Sequence, residues 1–386
     1  MNTIALFLSE QSKNWLKQDV FPLWIQSGVD PMTGSFVESL TMEGKPLTTP
    51  RRALVQARQI YSFVTGSKLD VCDEGLAKKI VLQATESFTK NYLQESGACI
   101  HSVDTQGQPQ NKDVDLYTQA FALFAYANAF EISHDKKYQE LGFKILNYLK
   151  TERRAIGGGF TEIKENKVFY QSNPHMHLFE AALAWAAIDS SEEWKDLTTE
   201  LYDLCLTKFI DQKTGALCEH FDEGWLPQRV DGHFFFEPGH HFEWAWLLSV
   251  YQDFFHEDCR KTCLSLYEMA TKYGVNESHY TVDEVWSNGI IKKGSSRFWP
   301  QCERIKAAAR LGFESHPRDQ KKFALHADQA LTVLFHYLQT PTKGLWQDTL
   351  LDNGEFSKQD PKGSSLYHII NAMEEYLNLR PRIADY

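Results

Sequence analysis

Two histidine–glutamate pairs are the residues of this 386-residue sequence whose types and spacing point most directly to chemistry. His177 and Glu180 stand in NPHMHLFEA, and His240 and Glu243 stand in EPGHHFEWAW. In each pair the glutamate follows the histidine at i+3, so the two side chains share one face of a helix. Because imidazole titrates near neutral pH, such pairs suit general acid–base catalysis. Any one of these histidines could instead satisfy a hydrogen bond in the core, but the repetition favours a functional site.

Other polar side chains interrupt segments that are otherwise apolar. Arg58 in TPRRALVQARQIYSF needs an anion, several acceptors or a structural ion pair if it is buried. Trp299 and Glu303 in RFWPQCERIKA could supply a stacking face and a hydrogen-bond acceptor, although Trp299 could also serve only in packing. Tyr117 in LYTQAFAL offers a phenol, and His368 in SSLYHIINAM offers a further imidazole.

The chemistry that suits this set of side chains is proton transfer. The sequence contains no G-x-S-x-G, P-loop or dinucleotide-binding motif, so nothing in it indicates an activated serine, a nucleotide or a nicotinamide. The histidine–glutamate pairs also resemble di-metal carboxylate sites, but those use the reverse order, Glu-x-x-His, and further glutamates on facing helices. We therefore expect neither a metal nor a cofactor. His175 and His241 are expected to be structural residues.

These residues stand near the starts of segments that are apolar on nearly all sides, which is typical of buried helices. The segments recur about every 60 residues, at 50–64, 116–130, 177–188, 241–254, 298–312 and 364–379. Segments with one apolar face alternate with them, at 75–93, 136–150, 192–210, 257–273 and 319–339. The pattern predicts an all-α protein in which six helical hairpins form an (α/α)6 barrel. No linker divides the chain, so residues 1–386 are expected to form a single domain.

The linkers that lead into the buried helices are long, whereas most of those that leave them have only a few residues. The long linkers span 94–112, 151–173, 211–238, 274–297 and 340–363. They contain turn sequences such as GGGF and DNG, and short alternating runs that predict β-hairpins. Long loops therefore gather at the end of the barrel where the inner helices begin, and we expect the pocket at that end.

Composition restricts the partners of the protein. The formal net charge is −11, and the positive residues form no stripe, which disfavours nucleic acid. No apolar stretch approaches the roughly 20 residues that cross a bilayer, and the short apolar run near the N-terminus does not have the pattern of a signal sequence. The seven cysteines include no C-x-x-C pair, so we expect reduced thiols and a cytoplasmic location.

The motifs resemble those of the N-acylglucosamine 2-epimerase family over essentially the whole chain. The matching pieces, in the family's order and spacing, are ALVQARQIYSF, LYTQAFAL, NPHMHLFEA, EPGHHFEWAWLL, RFWPQCERIKA and LYHI. The family contains 2-epimerases of N-acylglucosamine, cellobiose and mannose, together with aldose–ketose isomerases. NPHMHL and EPGHHFEW look most like the mannose isomerase branch.

The resemblance implies proton transfer through a cis-enediol intermediate, with no metal or nicotinamide. The residues that it places at catalytic positions are His240, His368, His177, Glu243 and Arg58. The residues that we group as substrate-binding candidates are Tyr117, Asn173, Trp299, Glu180 and Glu303, of which the first three match the family's sugar-holding positions.

The expected activity is therefore the interconversion of an aldose and a ketose, mannose to fructose, with a sugar 2-epimerase as the alternative. Arg58 would stabilise the enediolate oxygen, and Glu243 could orient the imidazole of His240. Which of His240 and His368 removes the proton from carbon 2 stays open.

Two further classes of protein share this type of barrel. A hydrolase or lyase needs a pair of carboxyl groups around the scissile bond, and the glutamates here stand beside basic partners. A non-enzymatic sugar-binding protein would not need the histidines. The expected partner is a small-molecule sugar, and a homodimer remains an open option.

Overall fold

The computed structural model describes residues 3–164 and 167–384, most of which are helical. The α-helices in chain order are α1 (Thr3–Asn14), α2 (Phe21–Leu23), α3 (Ala53–Lys68), α4 (Glu74–Tyr92), α5 (Leu116–Ser133), α6 (Lys136–Glu152), α7 (Ser172–Ile188), α8 (Glu192–Leu204), α9 (Pro238–Phe255), α10 (Arg260–Gly274), α11 (Trp299–Glu314), α12 (Pro317–Tyr337) and α13 (Leu366–Leu379). No helix in the described part of the chain is both long and apolar enough to cross a membrane.

Two classes of helix alternate from α3 onward, as the sequence predicts. The odd-numbered helices α3 to α13 are buried on nearly all sides, whereas the even-numbered helices α4 to α12 are buried along one face. Each buried helix packs against the next buried helix along the chain, α3 against α5 and so on, and α13 packs against α3. Each even-numbered helix packs against the buried helix before it in its own hairpin. The predicted (α/α)6 architecture is confirmed, with observed helix ends within one or two turns of the predicted ends.

The outer helix that precedes α3 lies at the N-terminus, and the sequence pattern did not reveal it. After α1 the chain continues through π-helical turns at Trp15–Val20 and Trp24–Gly28, with α2 between them. Leu16 and Phe21 are buried, and α1 packs against α12 and α13. Because π turns and Pro22 shift the apolar residues away from a period of 3.6, the amphipathic pattern is broken in this segment.

Short strands lie in the long loops that precede the inner helices. They are β1 (Arg51–Arg52), β2 (Ser102–Val103), β3 (Pro109–Asn111), β4 (Glu162–Lys164), β5 (Lys167–Gln171), β6 (His220–Asp222), β7 (Leu226–Pro227), β8 (Phe235–Phe236), β9 (Glu284–Trp286), β10 (Ile291–Lys293), β11 (Ser296–Arg297) and β12 (Thr349–Leu350). Antiparallel pairing joins loops of neighbouring hairpins: β1 with β2, β5 with β6, β8 with β9 and β11 with β12. We call these joined loops the rim, and they lie where the inner helices begin.

One hydrogen-bonding arrangement recurs at the start of the inner helices. In each case a side chain of the inner helix accepts a hydrogen bond from the backbone N–H of a residue shortly after an outer helix. The pairs are Gln56 with Phe36, Gln119 with Cys99, His175 with Phe160, His241 with Leu217 and Gln301 with Thr281. Burial lowers the pKa of both His175 and His241 to about 4, which keeps the accepting Nε2 unprotonated. The expectation that these two histidines are structural is confirmed.

Candidate active site

A small cavity of about 160 Å³ lies where the inner helices begin. Its lining residues are Arg58, Tyr117, Asn173, His177, Glu237, His240, Glu243, Arg297, Trp299 and His368. Every inner helix from α3 to α13 contributes at least one of them, and the rim contributes Glu237 and Arg297. A second cavity of about 540 Å³ adjoins the first, since Tyr117 and Asn173 line both.

His240 is held by a glutamate of the rim. Its Nδ1 lies 2.9 Å from Oε2 of Glu219, which precedes β6. Oε1 of Glu219 accepts the backbone N–H of Glu237 at 3.1 Å, so the carboxylate is itself fixed. With Nδ1 engaged, Nε2 is the ring nitrogen left for a substrate. The expectation that Glu243 orients His240 is wrong, because the His240 ring turns toward the rim and bonds to Glu219 instead of the residue one helical turn along.

His368 stands at the end of a buried chain of three ionisable groups. Its Nδ1 lies 2.8 Å from Oε1 of Glu303. The other oxygen of that carboxylate, Oε2, lies 2.6 Å from Nζ of Lys306. The side chains of Glu303 and Lys306 are both fully buried, each with 0% exposure. A glutamate thus fixes Nδ1 of His368, as Glu219 does for His240.

The two histidines differ in protonation. Burial by itself lowers the pKa of His240, but nearby carboxylates, Glu219 foremost, outweigh burial and raise the pKa to about 9. For His368, burial comes first, and the positive charge of Arg58 adds to it, so the pKa lies well below 6.5. At neutral pH one imidazole is therefore protonated and the other is neutral. Two groups whose environments move their pKa values apart can serve as acid and base at one pH.

Arg58 is a cation surrounded by aromatic rings. Its Nη2 donates to the phenol oxygen of Tyr117 at 2.8 Å. The guanidinium carbon lies 4.4 Å from the ring centroid of Phe121 and 4.9 Å from that of Tyr367. Its Nε has no hydrogen-bond partner among the described residues. A guanidinium held in this way, in a place of low dielectric, can stabilise a developing oxyanion.

His177 and Glu180 form the expected pair at i, i+3. Nδ1 of His177 lies 3.2 Å from Oε2 of Glu180, and the other oxygen of Glu180 accepts the phenol of Tyr367. Glu180 therefore lies behind His177 and does not line the cavity. Oε1 of Glu243 lies 4.0 Å from Nδ1 of His177 and has no hydrogen-bond partner in the described chain, although Glu243 is only 1% exposed. Oε1 of Glu243 can therefore accept a hydrogen bond from a hydroxyl of a bound molecule.

His177, Glu180 and Glu243 also form a group whose potential metal-ligating atoms lie within 4.8 Å of one another. Both oxygens of Glu180 are already engaged by His177 and Tyr367. Burial lowers the pKa of His177, and the positive charge of Arg58 acts in the same direction. A further cation at this position would face that guanidinium, so the geometry suits a hydrogen-bonding network better than a metal centre.

Trp299 lies close to both His240 and His368. Its ring centroid is 5.1 Å from that of His240 and 5.8 Å from that of His368. Arg297 lies over the indole at 5.2 Å and is held by Asp283, whose Oδ1 accepts its Nε–H at 2.8 Å. The indole therefore forms one wall of the cavity, against which the apolar face of a bound ring could stack.

The structure gathers eight of the ten candidate residues around one cavity. Those that line it are Arg58, Tyr117, Asn173, His177, His240, Glu243, Trp299 and His368. Glu180 and Glu303 lie one layer behind, against His177 and His368.

Four residues of the site were missed: Glu219, Glu237, Arg297 and Lys306. Lys306 carried a signal, since a lysine three residues after Glu303 in an apolar helix needs a buried partner. The other three lie in rim loops, where no helical spacing marks them.

The chain matches the family model described as N-acylglucosamine 2-epimerase (GlcNAc 2-epimerase) over residues 34–372. It is 31% identical over 367 residues to a protein of Rhizobium meliloti named mannose-6-phosphate isomerase, with 94% of each chain covered. The solved structure of a D-mannose isomerase superposes with a TM-score of 0.85 at 19% identity and 97% coverage of each chain. That of cellobiose 2-epimerase from Bacillus thermoamylovorans superposes with a TM-score of 0.83 at 17% identity, covering 96% of this chain and 98% of the other. The two structural likenesses establish the fold.

Proposed function

The chain belongs to the N-acylglucosamine 2-epimerase family, and from that premise we propose that it is an aldose–ketose isomerase that converts mannose to fructose or acts on a close analogue. One observation carries the proposal. His240 and His368 both lie beside Trp299, with ring centroids 5.1 and 5.8 Å from that of the indole. Each has Nδ1 bonded to a glutamate, and their pKa values are moved in opposite directions.

In the proposed mechanism the neutral His368 is the base. Its Nε2 takes the proton from carbon 2 of the open-chain aldose and returns it to carbon 1, which is bonded to carbon 2 and within reach of the same imidazole. The protonated His240 gives a proton to the carbonyl oxygen on carbon 1 and then takes the proton of the hydroxyl on carbon 2. Both histidines end in their starting states, so the cycle is balanced.

The intermediate carries enediolate character, and Arg58 is the group proposed to stabilise it. The aromatic rings around the guanidinium and the single bond to Tyr117 leave donors available. A fixed cation in a buried site stabilises a developing oxyanion more than water does. Glu243 and Asn173 would bind sugar hydroxyls, since each has a side-chain oxygen without a partner in the described residues.

The proposed sugar is unphosphorylated. The small cavity suits a single sugar ring, and the adjoining cavity is lined by Asp113 and Asp115, whose charges would repel a phosphate. Glu162 lines it as well, but burial raises the pKa of this carboxyl to about 7, so it adds only part of a charge. Arg297, which the rim contributes to the small cavity, is already paired with Glu237 and Asp283. The Rhizobium relative is named for a phosphorylated sugar, so this part of the proposal departs from that name.

We also propose that the protein works in the cytoplasm. Its seven cysteines are all free and buried. Reduced thiols that serve as packing residues are usual in a reducing compartment.

A 2-epimerase is the second candidate, and the same residues could perform it. If the protonated His240 gave its proton to carbon 2 from the face opposite His368, the product would be the epimer, glucose. The cellobiose 2-epimerase structure shares the fold, which keeps this alternative in view. The two activities differ in whether the proton reaches carbon 1 or carbon 2.

The test is proton NMR of mannose with the purified protein in deuterated water. We expect fructose as the main product, with glucose absent or minor. Deuterium should enter carbon 1 to the extent that the proton on Nε2 of His368 exchanges with solvent before it is returned. The His368→Gln variant is the blank, since it keeps a side chain of polar character but has no base. Glucose forming as fast as fructose would contradict the isomerase and favour the epimerase. With mannose 6-phosphate we expect kcat/KM to be lower by about tenfold or more, which is about 1.4 kcal/mol.

A further inference from the structure

His240 and His368 each bond through Nδ1 to a glutamate, and the glutamate that holds His368 also contacts a buried lysine. Glu219 holds Nδ1 of His240, and its other oxygen accepts a backbone N–H. Glu303 holds Nδ1 of His368, and its other oxygen faces the ammonium of Lys306 at 2.6 Å. The negative charge of Glu219 therefore acts on His240, whereas a negative charge on Glu303 is offset by the ammonium of Lys306.

Lys306 is built into the core of the barrel. Its side chain has 0% exposure, and its Nζ lies 3.7 Å from the ring centroid of Trp246. The indole N–H of Trp246 donates to Glu375 at 2.9 Å, which fixes the ring beneath the ammonium. A buried lysine is costly unless it is paired, and Glu303 is the carboxylate that pairs with this one.

We propose that Lys306 is the positioning residue that makes His368, rather than His240, the base of the reaction. The proposal rests on the proposed function only in calling His368 the base. Lys306 acts through Glu303. Burial raises the pKa of Glu303 well above 4.5 and the charge of Glu243 adds to this, whereas the ammonium of Lys306 opposes both. Lys306 therefore favours the ionised carboxylate, which accepts Nδ1–H and leaves Nε2 of His368 unprotonated, and it offsets the negative charge that would otherwise draw a second proton onto the imidazole.

Removing the ammonium should place an extra proton on the Glu303–His368 pair. Either the imidazole takes it, attracted by the uncompensated carboxylate, or the buried carboxyl takes it and donates to Nδ1, which moves the remaining imidazole proton to Nε2. The pair titrates as one unit, and both arrangements remove the free Nε2 lone pair that the base needs. The same loss therefore follows from either.

Other charges also face His368 and must stay constant in the test. The groups on the elements around it are Arg58 on α3, His177 and Glu180 on α7, His240 and Glu243 on α9, Glu303 and Lys306 on α11 and Tyr367 on α13. Burial lowers the pKa of His368, and Arg58 and Lys306 contribute in the same direction. Arg58 lies in the cavity wall, so Lys306 is the cation that can be changed without touching a bound sugar.

The variant is Lys306→Met, which keeps the length of the side chain and removes its charge. In the pH profile of kcat/KM, we expect the limb on the acid side to move upward to about pH 7 or above, so that activity at pH 6 falls by about tenfold or more. Lys306→Arg should keep the limb near its original place. Arg304→Met is the matched control: Arg304 is a buried cation of the same helix that donates to the backbone oxygen of His279, away from the cavity. It should lower stability and leave the profile unmoved.

A second readout needs no turnover and can be made on the unchanged protein. Nitrogen-15 NMR of labelled histidine should show His368 neutral at pH 7 with its proton on Nδ1, and His240 doubly protonated at the same pH. Lys306→Met should add a proton to Nε2 of His368 at pH 7. If mannose is not converted while these spectra appear, the proposed function fails and the role of Lys306 stands. A doubly protonated His368 at pH 7 in the unchanged protein, or an unaltered His368 spectrum in Lys306→Met, overturns the inference.

Discussion

Replacing Glu219 by glutamine should move the alkaline limb of the pH profile of kcat/KM to lower pH. The amide oxygen of the introduced glutamine can still accept Nδ1–H of His240, so the ring keeps its orientation. The negative charge, however, is lost. Because His240 acts in its protonated form, kcat/KM falls as pH rises through its pKa, and a lower pKa moves that fall to lower pH.

The size of the effect follows from the environment of His240. The pKa of His240 rises from 6.5 to about 9, which corresponds to about 3 kcal/mol at about 1.4 kcal/mol per pH unit. Burial opposes this rise, so the carboxylates together supply more than that. Glu219 is the foremost of them and the one that is hydrogen-bonded, and if it supplies half of the net rise its loss lowers the pKa of His240 to about 7.8. The protonated fraction of His240 at pH 8 then drops from about nine-tenths to about two-fifths.

The assay is kcat/KM for mannose from pH 6 to pH 10, together with the melting temperature of each variant. Glu237→Gln is the graded comparison, because Glu237 raises the pKa of His240 through charge without bonding to the ring, and its limb should move less. An alkaline limb that stays within about 0.3 pH units of the original in a folded Glu219→Gln variant would refute the reasoning, since it would mean that His240 is not the acid or that Glu219 does not set its protonation.

Two further predictions concern structural support and metals. His241→Gln should keep both the melting temperature and kcat nearly unchanged, because Gln301 accepts the same kind of backbone N–H in another hairpin. His241→Leu cannot accept that bond and should lower the melting temperature by several degrees. Equal losses in the two variants would contradict the shared role. Activity should also survive prolonged treatment with EDTA, since the cavity groups bond to one another; loss of activity with EDTA and recovery with one divalent ion would contradict this.

The architecture could be predicted because its signals are local and repeated. A helix that is apolar all round and a helix with one apolar face leave different patterns in the sequence, and six repetitions reinforce them. The N-terminal outer helix escaped because π turns break the period on which such patterns depend. Helical spacing likewise gave the pair His177–Glu180 correctly, since both residues lie on one helix and their side chains meet.

The partner of His240 could not be predicted from the same spacing. A pair at i, i+3 permits contact between two side chains but does not require it, and the ring of His240 instead bonds to Glu219, an acceptor on a loop. Rim residues such as Glu237 and Arg297 reach the cavity through the pairing of short strands, whose register is set by tertiary contacts. Sequence spacing therefore identifies what the helices contribute to the site and leaves out what the loops contribute.

The contact between α13 and α3 has a consequence for how activity arises during folding. Arg58 and His368 come from these two helices, and Gln59 bonds to the backbone oxygen of Gly363 at 2.7 Å across 304 positions of sequence. Contacts between such distant segments form late, since most of the chain must already be ordered before they are favourable. Arg58 and His368 therefore come together only when α13 packs against α3 and completes the ring of inner helices. Catalysis during refolding should thus lag behind the recovery of helical circular dichroism and report the moment at which the ring is complete.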